Sequence, residues 1–222
     1  MLTNLLPNIK VEDFIEATYE TFYMTIIALV GTFIIGLLLG LLLFLTQKGG
    51  IWQNRLLNLV IATVVNVFRA IPFIILILLL FPFTNFLIGT IRGPNAALPA
   101  LIIGAAPFYG RLVEIALREV DKGVVEAAKA MGAKTSTIIF KVLLPESMPA
   151  LISGITVTAI ALIGYTAMAG AIGAGGLGSY AYYSGFQRRD FDVVLICSII
   201  IVCIVFLFQF IGDYVSRKLD KR

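Results

Sequence analysis

The chain has 222 residues, of which 59% are hydrophobic and 14% charged, and its formal net charge is +4. With a mean hydropathy of +0.99, it carries more apolar surface than a soluble domain of this size can bury, which indicates an integral membrane protein. The basic residues flank apolar runs instead of forming one patch, which argues against nucleic-acid binding. The runs are rich in Leu, Ile and Val without polar alternation, which predicts an all-α fold and not a β-barrel.

The first 18 residues are predicted to form an amphipathic segment at the membrane surface. Val11, Phe14 and Ile15 fall near one helical face, and acidic residues fall on the other. The stretch has no basic n-region and no small-residue cleavage site, so we expect no cleaved signal peptide.

Five membrane spans are predicted from apolar runs of about 20 residues. They cover residues 20–46, 56–81, 96–117, 149–172 and 193–211. Gly36 and Gly40 in the first span have a spacing that permits close helix approach, and Pro72 is expected to break or bend the second span. The stretch from Pro82 to Asn95 is predicted to be a loop.

The basic residues predict the orientation of the spans. The loop after the first span, the segment from Arg111 to Lys141 and the C-terminal tail hold most of the Lys and Arg residues, and all three lie on one side of the membrane. The positive-inside rule places that side in the cytoplasm, so we expect the N-terminus outside and the C-terminus in the cytoplasm.

The polar segment after the third span predicts a short helix over Asp121 to Gly132. Asp121 can accept the free N–H groups of the first turn, and Gly132 suits the left-handed position after the last turn. A second helix is expected to start at Thr135 or Ser136. One side of the first helix is predicted to carry Val124, Val125, Ala128 and Met131. Amphipathicity alone favours an ordinary interfacial helix between two spans.

The wider pattern around this helix is more specific. Glu126-Ala-Ala, then Gly132, then Leu144-Pro145 resembles the EAA loop of ABC importer permeases, the segment that docks into the ATPase subunit. The resemblance implies that the residues coupling this chain to an ATPase are Glu126, Ala127, Ala128, Met131, Gly132, Leu144 and Pro145.

Three further stretches resemble the methionine-importer branch of these permeases, so the likeness covers about residues 15 to 215. They begin at Phe68 (Phe-Arg-Ala-Ile-Pro-Phe), Gly104 (Gly-Ala-Ala-Pro-Phe) and Gly164, the last running to Gly178. The resemblance implies the type I ABC importer permease fold, with five transmembrane helices and a cytoplasmic coupling helix, in the bacterial plasma membrane. The expected domains are a segment 1–18, a transmembrane domain 19–215 and a cytoplasmic tail 216–222.

The resemblance also implies an assembly. Two copies of the chain would pair around a central pathway, two cytoplasmic ATPases would bind the EAA helices, and an extracytoplasmic binding lipoprotein would deliver substrate. ATP and Mg would bind in the partner ATPase, and this chain would bind no cofactor directly. The predicted function is the permease subunit of an ATP-driven importer for D- or L-methionine, with another small amino acid or solute as the alternative.

Tyr165, Thr166 and Met168 are the predicted translocation-pathway residues, because they lie in the Gly/Ala-rich part of the fourth span. Plain helix packing explains the same residues equally well. Tyr182, Tyr183 and Phe186 in the following aromatic stretch fit either a contact with the binding protein or an interfacial aromatic belt.

Other activities find little support in the sequence. The run Gly173 to Gly178 matches a dinucleotide-binding pattern, but it ends a membrane span instead of following a strand, which favours close packing and a turn. No phosphate-binding loop or catalytic constellation is found, so we predict that the chain is not an enzyme. It has no His, and Cys197 and Cys203 share one apolar run, so no metal site is predicted. An ion-coupled secondary transporter is the less favoured alternative, because Arg69 is the only ionisable residue deep in a span.

Overall fold

The computed structural model describes residues 11–219, and within that range the chain is helical, without strands. The α-helices in chain order are α1 Val11–Thr46, α2 Arg55–Ala70, α3 Phe73–Leu79, α4 Phe81–Ile88, α5 Pro94–Arg118, α6 Lys122–Ala130, α7 Thr135–Ile138, α8 Leu144–Ala169, α9 Gly176–Tyr180 and α10 Phe191–Leu219. Two π-helical segments adjoin them, at Ile139–Leu143 and Ala181–Phe186, and Gly170–Ala174 is a kinked segment in which Ile172 and Gly173 are non-helical.

The predicted spans correspond to helices. Four helical stretches within the described residues are long and apolar enough to cross a membrane, and the broken pair α2 and α3 makes a fifth span if it is counted as one. The break falls at Pro72, as predicted: this residue is extended, with φ −56° and ψ 135°, and α3 begins immediately after it. Proline lacks an N–H group and disfavours helix in the residue before it, which explains why the span is divided here.

Helix boundaries differ from the predictions at three places. Helix α1 runs unbroken from Val11, so no boundary falls at residue 18, and residues 1–10 of the predicted surface segment lie outside the described range. The predicted loop after Pro82 is wrong, because α4 occupies its first half with Pro82 in the first turn, where a missing N–H costs nothing. Helix α10 continues to Leu219. Arg217 and Lys218 in its last turn stabilise this end, because cations interact favourably with the C-terminus of a helix.

The first of two compact units consists of the residues up to Val30, Ile71–Gly104 and Ala159–Phe208. One of its apolar cores joins the start of α1 to α8, α9 and α10. The buried members of this core are Phe14, Ala17, Ile163, Leu177, Val193, Cys197 and Ile204.

The second compact unit consists of Gly31–Ala70, Ala105–Thr158 and the residues from Gln209 onward. Here α1 packs closely on α5 through Gly36 and Gly40. A Cβ atom at Gly36 would lie 2.7 Å from Cδ1 of Tyr109, and one at Gly40 would collide with Val113. The predicted small-residue contact in the first span is therefore confirmed. It lets the backbones of α1 and α5 approach each other closely.

Candidate functional site

The start of α6 is capped as the sequence predicts. Asp121 is non-helical, with φ −58° and ψ 125°, and its side chain accepts a hydrogen bond from the backbone N–H of Gly123. The distance between Oδ1 and this nitrogen is 2.7 Å. The carboxylate satisfies one of the free donors of the first turn, and so defines where the polar helix begins.

The end of α6 is a Schellman motif built on Gly132. This glycine has a left-handed φ of +77°. Its N–H donates to the carbonyl oxygen of Lys129 at 2.9 Å, and the N–H of Ala133 donates to that of Ala128 at 3.1 Å. The pair of bonds is the expected closure of a helix by a left-handed glycine. The predicted cap is confirmed, and the new helix predicted at Thr135 is α7.

An apolar cluster fastens α6 to the helices before and after it. Ala128 is buried together with Leu117 at the end of α5, Ile138 in α7 and Leu143 just before α8. These residues bury apolar surface against one another, so α6 is joined by packing, and not only by its linkers, to the ends of two long helices.

The exposed side of α6 carries both polar and apolar residues. Glu126 and Ala127 are exposed, and Met131 is 82% exposed, which is unusual for a large apolar side chain. Helical spacing places Val124, Val125, Ala128 and Met131 on one side, as predicted, but only Val125 and Ala128 face the core. The buried arc is centred between Val125 and Ala128, and therefore Val124 and Met131 fall at its margins and project outward.

Leu144 and Pro145 form the start of α8. Leu144 is partly buried against the cluster that contains Ala128, and Pro145 is exposed. Proline is tolerated there because the first N–H groups of a helix have no intrahelical partner. The π-helical segment before α8 connects it directly to α7. The predicted coupling residues therefore fall into an exposed group on α6 and an anchoring group in or beside the core.

A buried carboxylate that the sequence analysis did not single out lies at the end of α5. Glu114 is bonded by Arg111 and by Arg118, each at 2.5 Å, and only 3% of its side chain is exposed. Among the described residues, ion pairs are found only around this glutamate, and Arg69 takes part in none. The spacings of three and four residues place all three side chains on one helical face, a signal readable from the sequence.

The three predicted pathway residues occupy different environments on α8. The ring of Tyr165 stacks on Phe73, with centroids 4.3 Å apart. Thr166 is buried, and its hydroxyl donates to the carbonyl oxygen of Ile163 in its own helix at 2.8 Å. Met168 is 47% exposed, on the same face as Gly164. Tyr165 and Met168 are thus accessible from outside the chain, whereas Thr166 is not.

The glycine-rich run after α8 makes a turn and a close contact, as predicted. Gly175 and Gly176 have left-handed φ values of +87° and +75°. The N–H of Gly176 donates to Oε2 of Glu20 at 2.6 Å, and the N–H of Leu177 donates to Oγ1 of Thr21 at 2.9 Å. Two polar side chains of α1 therefore hold this turn in place.

A groove of about 340 Å³ lies beside that turn, lined by acidic and aromatic side chains that include Asp13, Glu16 and Tyr183. Burial and the nearby Asp13 carboxylate raise the pKa of the Tyr180 phenol, which therefore stays protonated and able to donate. The rings of Tyr182 and Phe186, which follow Tyr180 in the chain, stack on each other with centroids 6.0 Å apart.

Comparisons with known proteins agree with this geometry. Residues 33–221 match the family described as "Binding-protein-dependent transport system inner membrane component". The Bacillus subtilis methionine import system permease protein MetP is 66% identical over the full length of both chains. The probable D-methionine transport system permease protein MetI of Pasteurella multocida is 49% identical, covering 93% of this chain and 95% of the relative. A chain of the inward-facing MetNI methionine ABC transporter superposes with a TM-score of 0.90 at 44% identity, covering 91% of this chain and 94% of that one.

Proposed function

Because the chain belongs to the family of binding-protein-dependent transport system inner membrane components, we propose that it is the transmembrane permease subunit of an ATP-driven importer of methionine. The type I importer permease fold expected from the sequence is confirmed by the superposition on the MetNI chain. The subunit is not itself an ATPase, and ATP hydrolysis takes place in a partner protein. ATP and Mg bind in that partner.

The observation that carries the mechanism is the combination of an exposed tip and a buried anchor in α6. Glu126, Ala127 and Met131 provide the surface that meets the ATPase, and Gly132 ends the helix so that Met131 projects. Ala128 and Leu144 act from the other side, and Pro145 lies in the first turn of α8. Ala128 and Leu144 hold α6 on the core and on the start of α8, so that displacement of α6 by the ATPase is transmitted to the long helices as a rigid-body motion.

The number of helices and the relatives support the proposed assembly. Five spans are few to enclose a polar path, and a symmetric pair of copies around a central pathway solves this. Two ATPases bind the two α6 helices on the cytoplasmic side, which puts the N-terminus outside and the C-terminus in the cytoplasm of a bacterial plasma membrane. Residues 19–215 form the transmembrane domain in this proposal, with a surface segment before it and a cytoplasmic tail after it.

Alternating access supplies the transport step. The permease has two arrangements of differing stability, and nucleotide in the ATPases changes which one is populated. An extracytoplasmic binding lipoprotein delivers methionine to the outward-open form. The surface of this chain that contacts the lipoprotein includes the groove beside Tyr183 and the aromatic pair of Tyr182 and Phe186. Carboxylates and aromatic rings there offer partners for basic side chains of the lipoprotein.

The pathway runs along the unpartnered face of α8. Val157, Gly164 and Met168 lie on this face and are exposed in the single chain, and in this proposal a second copy and the pathway cover them. Met168 and Tyr165 meet the solute in this proposal, and Thr166 stays buried, with its hydroxyl bonded to the carbonyl oxygen of Ile163. A cysteine scan of these three residues, on a background with Cys197 and Cys203 replaced, should show nucleotide-dependent labelling at positions 165 and 168 and none at 166.

Reconstitution tests the function as a whole. The complex of permease, ATPase and binding protein in vesicles should take up labelled methionine only when ATP is supplied, and other amino acids should compete weakly. Uptake driven by an ion gradient without ATP would contradict the proposal, as would equal uptake of unrelated amino acids. The same preparation carrying Met131→Ala should insert normally but lose most ATP-dependent uptake.

A further inference from the structure

The second compact unit contains a cavity whose lining combines apolar side chains with four cationic ones. Its volume is about 680 Å³, within the usual range for small-ligand sites. Its apolar lining includes Phe44, Leu117 and Leu143. Its charged lining consists of Lys48, Arg118, Lys122, Lys129 and Glu126. Four cationic side chains therefore meet one acidic side chain around a single opening.

The charges of this cavity are only partly neutralised within the chain. Arg118 is bonded to Glu114, but among the described residues none of the three lysines forms an ion pair. A lysine ammonium is a strongly hydrated point charge with three donors, suited to phosphate oxygens. Three of them around one cavity leave an excess of positive charge for an anionic ligand.

The position of the cavity in the fold decides between kinds of anion. Phe44 lies in the last turn of α1, which ends at Thr46, and Leu117 lies in the last turn of α5, which ends at Arg118. Both helices are long and apolar enough to span a membrane. The cavity thus lies where hydrocarbon gives way to headgroups, with its apolar wall continuing into the spans and its lysines on the polar side.

We infer that this cavity binds the phosphate headgroup of an anionic phospholipid, with the glycerol and upper acyl chains against the apolar wall. A free phosphate would use the lysines but leave the partly exposed Phe44, Ile51 and Val125 in contact with water, whereas a phospholipid uses both kinds of lining. Because α6 contributes Lys122 and Lys129, the lipid holds the polar helix against the loop that carries Lys48. The inference does not depend on the proposed transport function.

The single tryptophan of the chain provides a direct probe. Trp52 is 52% exposed and follows Ile51, which lines the cavity. The purified full-length chain is reconstituted in phosphatidylcholine vesicles containing a small fraction of either brominated phosphatidylglycerol or brominated phosphatidylcholine, whose bromines quench tryptophan by contact. The expected result is stronger quenching by the brominated phosphatidylglycerol. Removal of one lysine should weaken the preference about fivefold.

The decisive variant replaces three lysines, as Lys48→Gln, Lys122→Gln and Lys129→Gln. Its matched control removes the same number of charges from the same two segments outside the cavity, as Arg55→Gln, Lys134→Gln and Lys141→Gln. The preference should disappear in the first protein and persist in the second. Equal preference in both, or equal loss in both, would overturn the inference. If the triple variant is not recovered folded, Lys129→Gln alone must still show the fivefold drop.

Two further experiments distinguish lipid binding at this cavity from binding of another anion or of a protein partner. Inorganic phosphate at millimolar concentration should not relieve the quenching by brominated phosphatidylglycerol; relief would assign the cavity to a soluble phosphate compound and overturn the lipid assignment. Binding of the purified ATPase partner is measured for the same variants. If the three lysine substitutions weaken ATPase binding but leave the lipid preference intact, the cavity belongs to the protein interface and the inference is wrong.

Discussion

Two glycine-containing turns show that left-handed glycines serve different purposes in this molecule. At the end of α6, Gly132 has a φ of +77°, and a Cβ added there would meet nothing within 4 Å. In the turn before α9, Gly176 has a φ of +75°, but a Cβ there would lie 2.7 Å from Oγ1 of Thr21 and 3.0 Å from Cε of Met24. The first turn needs glycine for its backbone conformation alone, and the second needs it for conformation and space.

The difference fits the roles proposed for the two regions. The turn before α9 is packed and held by Glu20 and Thr21, as expected of a fixed element. The end of α6 is open around Gly132 and presents an exposed Met131, as expected of a surface that a partner covers. Substitutions in the turn before α9 should therefore affect folding, and substitutions at the end of α6 should affect coupling.

The largest expected effect is on folding, from Gly178→Ala. A Cβ at this position would collide with the backbone of Ala167, and backbone atoms cannot be displaced cheaply, so we expect destabilisation of about 3 kcal/mol or more. The matched control is Gly164→Ala, which meets nothing within 4 Å. The melting temperature of the purified permease should fall sharply in the first variant and little in the second. Equal melting temperatures would refute the steric account of the packed turn.

Substitution of Gly132 should have a smaller effect on stability and a clear effect on transport. A β-branched residue in the left-handed region is strained by about 1–2 kcal/mol, so Gly132→Val should disturb the end of α6 while the folded permease persists. Gly132→Asn is the control, because asparagine tolerates this conformation. We expect ATP-dependent uptake to be much lower in the valine variant than in the asparagine variant. Normal uptake and normal ATPase stimulation with valine would rule out a coupling role for this turn.

The smallest effect is expected from loss of the cap at the other end of α6. Asp121→Ala removes the acceptor for the N–H of Gly123 and should cost about 1 kcal/mol locally, whereas Asp121→Asn should retain most of the cap. Hydrogen exchange of a peptide covering Lys122–Ala130 should become about fivefold faster in the alanine variant. An unchanged exchange rate would mean that packing of Ala128, and not the cap, maintains this helix.

The sequence was sufficient for features that local chemistry determines. The cap at Asp121, the left-handed Gly132 and the break at Pro72 each follow from the backbone demands of one residue type. The Gly36 and Gly40 contact follows from spacing along one helix. These features needed no knowledge of which elements meet in space.

Other features depend on tertiary packing and were missed or misplaced. The burial of Ala128 beside the exposure of Met131 is decided by where Leu117 and Leu143 lie, which helical periodicity does not reveal. Pro82 was interpreted as a loop signal, although proline is equally at home in the first turn of a helix such as α4. The ion pairs of Glu114, by contrast, were readable from their three- and four-residue spacings.

The central claim is that the exposed tip of α6 contacts an ATPase on the cytoplasmic side, and cross-linking from Met131→Cys tests it most directly. The variant is made with Cys197 and Cys203 replaced, and Phe186→Cys, 60% exposed in the stretch proposed to lie outside, is the control. We expect the cysteine at position 131 to cross-link to the ATPase subunit and to resist membrane-impermeant thiol reagents added outside intact cells, and the cysteine at 186 to do neither. Labelling of position 131 from outside, or no cross-link to the ATPase in an active complex, would contradict the account.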